Sequence, residues 1–232
     1  GRLVGDASML RLFQTHVMVV GLGGVGSWVA ESLARSGVGR ITVVDFDEIC
    51  ITNANRQLHA LQGLVGRKKA QVVAERLRKI NPQARVDDKP LFYNSETSAE
   101  LLQLGTADQP DYVVDAIDNL TAKAHLLFTC HQNKLPVITS GGASARMDPL
   151  SIKLVDLAET HTDPLAHQVR KILRSRYGFS NKGAFGIPCV FSDEKPMMPV
   201  DLHYDNGEGF KCVCPQGQRD LHSCDRRNVI YG

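Results

Sequence analysis

Apolar positions in this chain follow two rhythms. Short β-branched runs end abruptly in glycine or aspartate, and between them apolar residues recur every three or four positions. Residues 17–20 (Val-Met-Val-Val) run straight into Gly21, as a buried parallel strand does. A helix is predicted over 26–36, closed by Gly37 and Gly39, and a second strand over 41–44 with Asp45 at its tip. Residues 66–80 read as a helix, with Val72, Val73, Leu77 and Ile80 on one face and Arg/Lys on the other. Asn81-Pro82 stops it. Strands near 84–87, 112–114 and 136–139 then alternate with helices near 97–104 and 121–133. Such alternation predicts an α/β fold with a doubly wound, mainly parallel sheet.

The rhythm changes near residue 150. Residues 151–156 read as a strand. Asp163-Pro164 is an N-cap followed by proline at the first helical position, and Leu165, Val169, Ile172 and Leu173 share one face of the helix it starts. Residues 193–232 are rich in Pro, Gly, Asp and Cys without periodicity, and read as a long loop or irregular lobe. The organisation predicted is a nucleotide-binding domain over 1–150 and a C-terminal substrate-binding extension over 151–232, packed on the same domain.

Composition narrows the class. With 232 residues, 43% hydrophobic and 22% charged, the chain has the make-up of a soluble globular protein with one sizeable core. A net charge of +2 announces no nucleic-acid partner by itself. The six cysteines lack a disulfide spacing, which favours free thiols in a reducing compartment. No apolar run approaches transmembrane length and no signal peptide is visible. The chain begins at Gly1 without Met, so residues are expected to precede it.

The chemistry is concentrated in Gly21-Leu-Gly23-Gly24-Val-Gly26, a G-x-G-x-x-G run between a strand and a helix. Glycine permits the tight turn and lets backbone N–H groups approach phosphate oxygens, while the helix N-terminus adds partial positive charge. Asp45, at the end of the next strand, suits ribose hydroxyls. A dinucleotide needs little more, but a triphosphate attacked at its α-phosphorus needs charge neutralised on several oxygens. Asn53, Arg56, Gln57 and Lys69 follow Asp45 closely, and Asp118 lies beyond a later strand, where its carboxylate could hold Mg²⁺. Taken singly, Arg56 and Lys69 read as solvated surface charges. Taken together at strand carboxyl ends, they favour ATP over NAD.

Those residues carry a resemblance. Residues 21–28, Val44-Asp45-Phe46-Asp47, Asn53-Ala-Asn-Arg-Gln57, Val65-Gly-Arg-Lys-Lys69 and Asp115-Ala-Ile-Asp-Asn119 resemble the ThiF/MoeB-like superfamily of adenylating enzymes, over roughly the first 140 residues. The resemblance implies ATP-dependent adenylation of a carboxylate, in a homodimer. Gly21, Gly23, Gly24 and Gly26 would line the phosphates. Asp45 would hold the ribose, with Asp47 and Gln57 as further nucleotide-binding positions. Asn53, Arg56 and Lys69 would steady the transferring phosphate, and Asp118 would position Mg²⁺. Arg2 matches an arginine that reaches across the dimer.

In the second half, Ser140-Gly-Gly-Ala-Ser144, Asp156-Leu-Ala158, Asp163-Pro-Leu-Ala166, residues 169–174 and residues 186–196 resemble the tRNA threonylcarbamoyladenosine dehydratase family. That branch implies a tRNA substrate modified beside the anticodon, and leaves room for a sulfur- or electron-transfer protein partner. Its bacterial members imply a cytoplasmic location, and its fungal members association with mitochondria. Its members usually continue beyond the position of Gly232.

Arg170, Lys171, Arg174, Arg176 and Lys182 fall in a stretch from Pro164 to Ser192 that contains no Asp or Glu. Such a run is often a solvated face, but beside a site acting on tRNA it reads as a phosphate-contacting surface. No C-x-x-C pair is present. Cys212, Cys214, His222 and Cys224 have atypical spacing for zinc. Cys189 reads as a buried strand residue rather than a nucleophile, and Cys224 as a weak redox or sulfur-transfer candidate. Three alternatives remain: an activator of a ubiquitin-like or sulfur-carrier protein, an NAD-dependent oxidoreductase, and a degenerate nucleotide-binding scaffold.

Overall fold

The computed structural model describes residues 1–197. Among these, seven strands form one sheet in the order β3-β2-β1-β4-β5-β7-β6. They are β1 (His16–Val20), β2 (Arg40–Val44), β3 (Arg85–Lys89), β4 (Tyr112–Asp115), β5 (Val137–Ser140), β6 (Ile152–Asp156) and β7 (Pro188–Ser192). All pairings are parallel except β6 with β7. The chain runs outward from β1 to β3, then returns to the other side of β1 with β4. The β1/β4 boundary is therefore the topological switch point, where sheets of this kind hold ligands at the strands' carboxyl ends.

Every residue of β1 is buried, which explains its unbroken apolar run. Its alternating side chains feed two cores. Val17 and Val19 pack with α2 (Gly26–Arg35) and α3 (Lys69–Ile80), through Ala30, Ala34, Val73 and Leu77. Met18 and Val20 join the opposite core, built from α4 (Ser98–Leu102), α5 (Leu120–Gln132) and α6 (Pro164–Tyr177). The N-cap read at Asp163 is present: its Oδ1 accepts the Ala166 N–H at 2.9 Å. Residues 152–192 extend the same sheet, with α6 packed against α5 and sharing the β5 and β7 core through Leu165, Val169 and Leu173.

Two differences from the sequence reading have local causes. The helix predicted from residue 66 begins at Lys69, because Gly66 turns the chain at φ +86° and Lys68 is extended, pairing as an isolated β-bridge with Glu48. A further helix, α1 (Asp6–Gln14), precedes β1 and has no fully buried residue. It packs where β2 and β3 begin: Met9 and Phe13 line a groove with Gly37, Asn81 and Gln83. Beyond residue 197, the lobe expected over 193–232 lies outside the described residues.

Candidate functional site

The glycine run is a closed turn at the end of β1. Gly21 takes φ +89°, a conformation L side chains rarely adopt, and its N–H donates to the Val44 carbonyl at 2.9 Å. A Cβ on Gly26 would stand 1.8 Å from the Gly21 carbonyl oxygen. Gly26 is therefore fixed by close approach of backbone to backbone. Ser27, fully buried, donates its hydroxyl to the Gly23 carbonyl at 2.7 Å and locks the turn to the first turn of α2.

Asp45 lies across from this turn. Its Oδ2 accepts the Leu22 N–H at 2.7 Å and its Oδ1 accepts the Asp47 N–H at 2.8 Å. Burial, reinforced by the Asp47 charge, raises its carboxyl above the ordinary value, while Lys69 opposes the rise. Lys69 starts α3, donates its backbone N–H to the Asp47 carbonyl, and sets Nζ 2.9 Å from Asp47 Oδ2 with only 6% of its side chain exposed. It is thus a buried side chain beside the carboxylates of Asp45 and Asp47, not the solvated charge its position in a basic stretch suggests.

The 50–59 segment closes another side. Asn53 is buried, and its Oδ1 accepts the Cys50 N–H at 3.1 Å, so it shapes the short 3₁₀ turn Ile51–Asn53. Arg56 is exposed and lays its aliphatic stem over the turn: a Cβ on Gly24 would meet Arg56 Cγ at 3.2 Å. Gln57 is buried, with Nε2 3.9 Å from where a Gly23 Cβ would be.

Asp118 follows β4. The Ala116 N–H donates to the Val20 carbonyl, and a Cβ on Gly21 would lie 2.6 Å from the Ala116 oxygen, so the loops after β1 and β4 touch. Two residues on, Asp118 is exposed, and among the described residues no hydrogen bond or ion pair engages its carboxylate. Asn119 caps α5 by accepting the N–H groups of Thr121 and Ala122.

Three residues have roles that the sequence does not assign, though Asp115 stands in the 115–119 motif. Asp115 and Lys123 form a fully buried ion pair at 2.9 Å beneath the Asp118 loop. Lys123 also donates to the Ile117 carbonyl at 3.0 Å, and Asp115 accepts from Thr139 and the Ile117 N–H. A lysine amid Ala122, Ala124, Leu126 and Leu127 was the available signal. His59, buried beside Gln57, is the third.

The remaining positions scatter. Arg2 is exposed ahead of α1, which packs at the opposite end of the sheet from the glycine turn. On α6, Arg170 is half-buried and bonded to Thr160, and burial followed by Arg174 pulls its guanidinium below the ordinary value. Arg174 donates to the Ser180 carbonyl and stacks 5.2 Å from the Phe185 ring centre. Lys171, Arg176 and Lys182 are exposed. Cys189 on β7 is fully buried, and burial pushes its thiol up to about 12. Cys212, Cys214, His222 and Cys224 lie outside the described residues, among which no three-residue His/Cys/Asp/Glu cluster is placed to hold a metal.

The ThiF family model matches residues 1–173. A tRNA threonylcarbamoyladenosine dehydratase of Escherichia coli is 46% identical over 214 residues, covering 91% of this chain and 76% of that protein. The Haemophilus influenzae protein of the same description is 46% identical over 86% of this chain and 76% of its own length. The solved E. coli structure described as TcdA in complex with ATP superposes with a TM-score of 0.81 at 46% identity, covering 85% of this chain and 81% of that one. This chain belongs to the ThiF family, on its tRNA threonylcarbamoyladenosine dehydratase branch. A further structure of the E. coli protein is described with AMP and superposes equally well. The glycine turn after β1 meets the loop that leads to Asp118 at the switch point, Asp45 and Lys69 lie beside the turn, and β7 and β6 complete the sheet.

Proposed function

We propose that the protein uses ATP to activate the threonine carboxylate of threonylcarbamoyladenosine in tRNA, and that the activated group cyclises with net loss of water. The observation that carries this reading is the convergence of the closed glycine turn, the buried Lys69 paired with Asp47, and the unpartnered Asp118 carboxylate around the carboxyl ends of the central strands. Hydroxide is a poor leaving group, so the carboxylate must first be activated. A carboxylate oxygen attacks the α-phosphorus of ATP and pyrophosphate leaves. A neighbouring atom of the same side chain then closes on the acyl-adenylate carbonyl, and AMP carries the carboxylate oxygen away. Ring closure is intramolecular, so orientation supplies much of the rate and no enzyme nucleophile is needed.

The residues divide these tasks. The turn's N–H groups and the α2 N-terminus cradle phosphate oxygens. Asp45 accepts from the ribose hydroxyls, with Asp47 beside it. Lys69 and Arg56 neutralise charge at the reacting phosphate, and the Asn53 amide steadies it by hydrogen bonding. Asp118 is the ligand for Mg²⁺, which supplies further charge neutralisation when bound, and its exposed, unpaired oxygens suit that hard cation. Arg2 lies ahead of α1, which packs at the strands' amino ends away from the glycine turn, and is assigned to the neighbour's site in a homodimer. Lys171, Arg176 and Lys182 contact tRNA phosphates within the extension after residue 150, with Arg170 and Arg174 shaping that surface. Cys130 and Cys189 are buried thiols outside any disulfide, in keeping with a reducing, cytoplasmic setting. No described helix is long and apolar enough to cross a membrane. Product analysis tests the chemistry: AMP and pyrophosphate are expected, whereas ADP and phosphate would refute adenylation.

A further inference from the structure

His59 is 1% exposed, two residues beyond Gln57, and belongs to no step described above. Its Nε2 is 3.1 Å from Gln57 Oε1, while its Nδ1 is buried without a hydrogen-bond partner among the described residues. Gln57 is itself buried, and its amide nitrogen lies on the Gly23 side of the phosphate turn, 3.9 Å from where a Gly23 Cβ would be. The geometry assigns His59 as the positioning residue for Gln57: its Nε2–H holds the amide oxygen, so that the amide N–H groups face the phosphates.

Resting on the ATP reading above, the assignment follows from which proton arrangement the pocket permits. Gln57 Oε1 can only accept, so the ring must donate through Nε2. In the neutral ring Nδ1 is then a bare lone pair. A buried N–H with no acceptor would cost about 1–3 kcal/mol. A lone pair is also what a nearby cation favours, and Lys69 is the charge that acts on this ring. Burial first, then Lys69, lower the imidazole to about 4, so it stays neutral near pH 7. The opposite tautomer would turn the Gln57 amide over and present its oxygen to a phosphate, which repels it. One uncharged ring thus fixes the sense of an amide that would otherwise be free to flip.

The test is a double-mutant cycle on the full chain, read by calorimetric ATP affinity, with thermal midpoints confirming that each variant folds. Gln57→Ala and His59→Leu should each weaken ATP binding roughly tenfold, the worth of one hydrogen bond to a charged group. The double variant should be no weaker than the worse single one. His59→Gln, whose amide nitrogen can take the place of the ring Nε2, should restore most of the affinity, which a merely space-filling role would not allow. Multiplying effects in the double variant, or equal losses in His59→Gln and His59→Leu, would overturn the assignment. So would wild-type affinity in Gln57→Ala. Because the readout is ATP affinity, failure of the adenylation chemistry would show separately, as the wrong products from the unaltered protein.

Discussion

Lys123 Nζ and Asp115 Oδ2 meet at 2.9 Å with essentially no exposure of either side chain. The pair sits under the loop that carries Asp118, and Lys123 ties that loop down through the Ile117 carbonyl. Removing one partner leaves a buried, uncompensated charge. Lys123→Met should therefore destabilise the protein by about 3–5 kcal/mol. Urea denaturation measures this, and a midpoint close to wild type would show that the pair is not a structural anchor.

Asp118→Ala should behave oppositely. The carboxylate is exposed and unpartnered, so stability should change by less than about 0.5 kcal/mol. Pyrophosphate release should nevertheless collapse. A folded Asp118→Ala protein with full turnover would remove Asp118 from the metal site.

Much of this was legible in the chain. The parallel core could be read because β1 is buried on both faces and so carries no polar alternation. The glycine turn could be read because Gly26 tolerates no side chain. Lys69 was found by its place in a motif, but its desolvation came from α3 docking its first turn on Asp47, a tertiary fact. Lys123 was passed over because helical periodicity treats an isolated lysine as a gap in the apolar face. His59 was missed because it lies in a loop, where periodicity says nothing about burial. The five basic positions after Pro164 looked equivalent in sequence. Folding separates them, because Arg170 and Arg174 turn toward Thr160 and Phe185.

That separation gives a prediction for tRNA binding. Replacing Lys171, Arg176 and Lys182 with Ala should weaken tRNA binding and lower the salt dependence by about one for each phosphate no longer neutralised. ATP affinity should stay unchanged. Replacing Arg11, Lys79 and Lys134 together with Ala serves as the matched charge control, since all three are exposed whereas Arg76 is committed to Glu31. Equal tRNA affinity in the triple variant and the control would make this face merely solvated.

Acid stability should report His59. Its folded value of about 4 lies below the ordinary 6.5, so the unfolded chain binds more protons between the two. Its contribution is complete above pH 6.5 and is lost as the pH falls toward 4. The gap corresponds to on the order of 3 kcal/mol. The stability difference between wild type and His59→Gln should change across that window and level off above it. A pH-independent difference would mean the ring is not held neutral.

Arg2 should act between subunits. Light scattering should give a dimer at micromolar concentration. Arg2→Ala and Asp118→Ala should each be impaired, and mixed dimers should recover part of the activity, because one site then has both residues. No recovery from confirmed mixed dimers would place Arg2 outside the neighbour's site.

The central claim is tested most directly by nucleoside mass spectrometry of threonylcarbamoyladenosine-containing tRNA incubated with the protein and ATP. The account predicts an ATP-dependent shift of that nucleoside to a product lighter by one water, matched by AMP. An unchanged nucleoside from folded protein that binds ATP and the tRNA would contradict it.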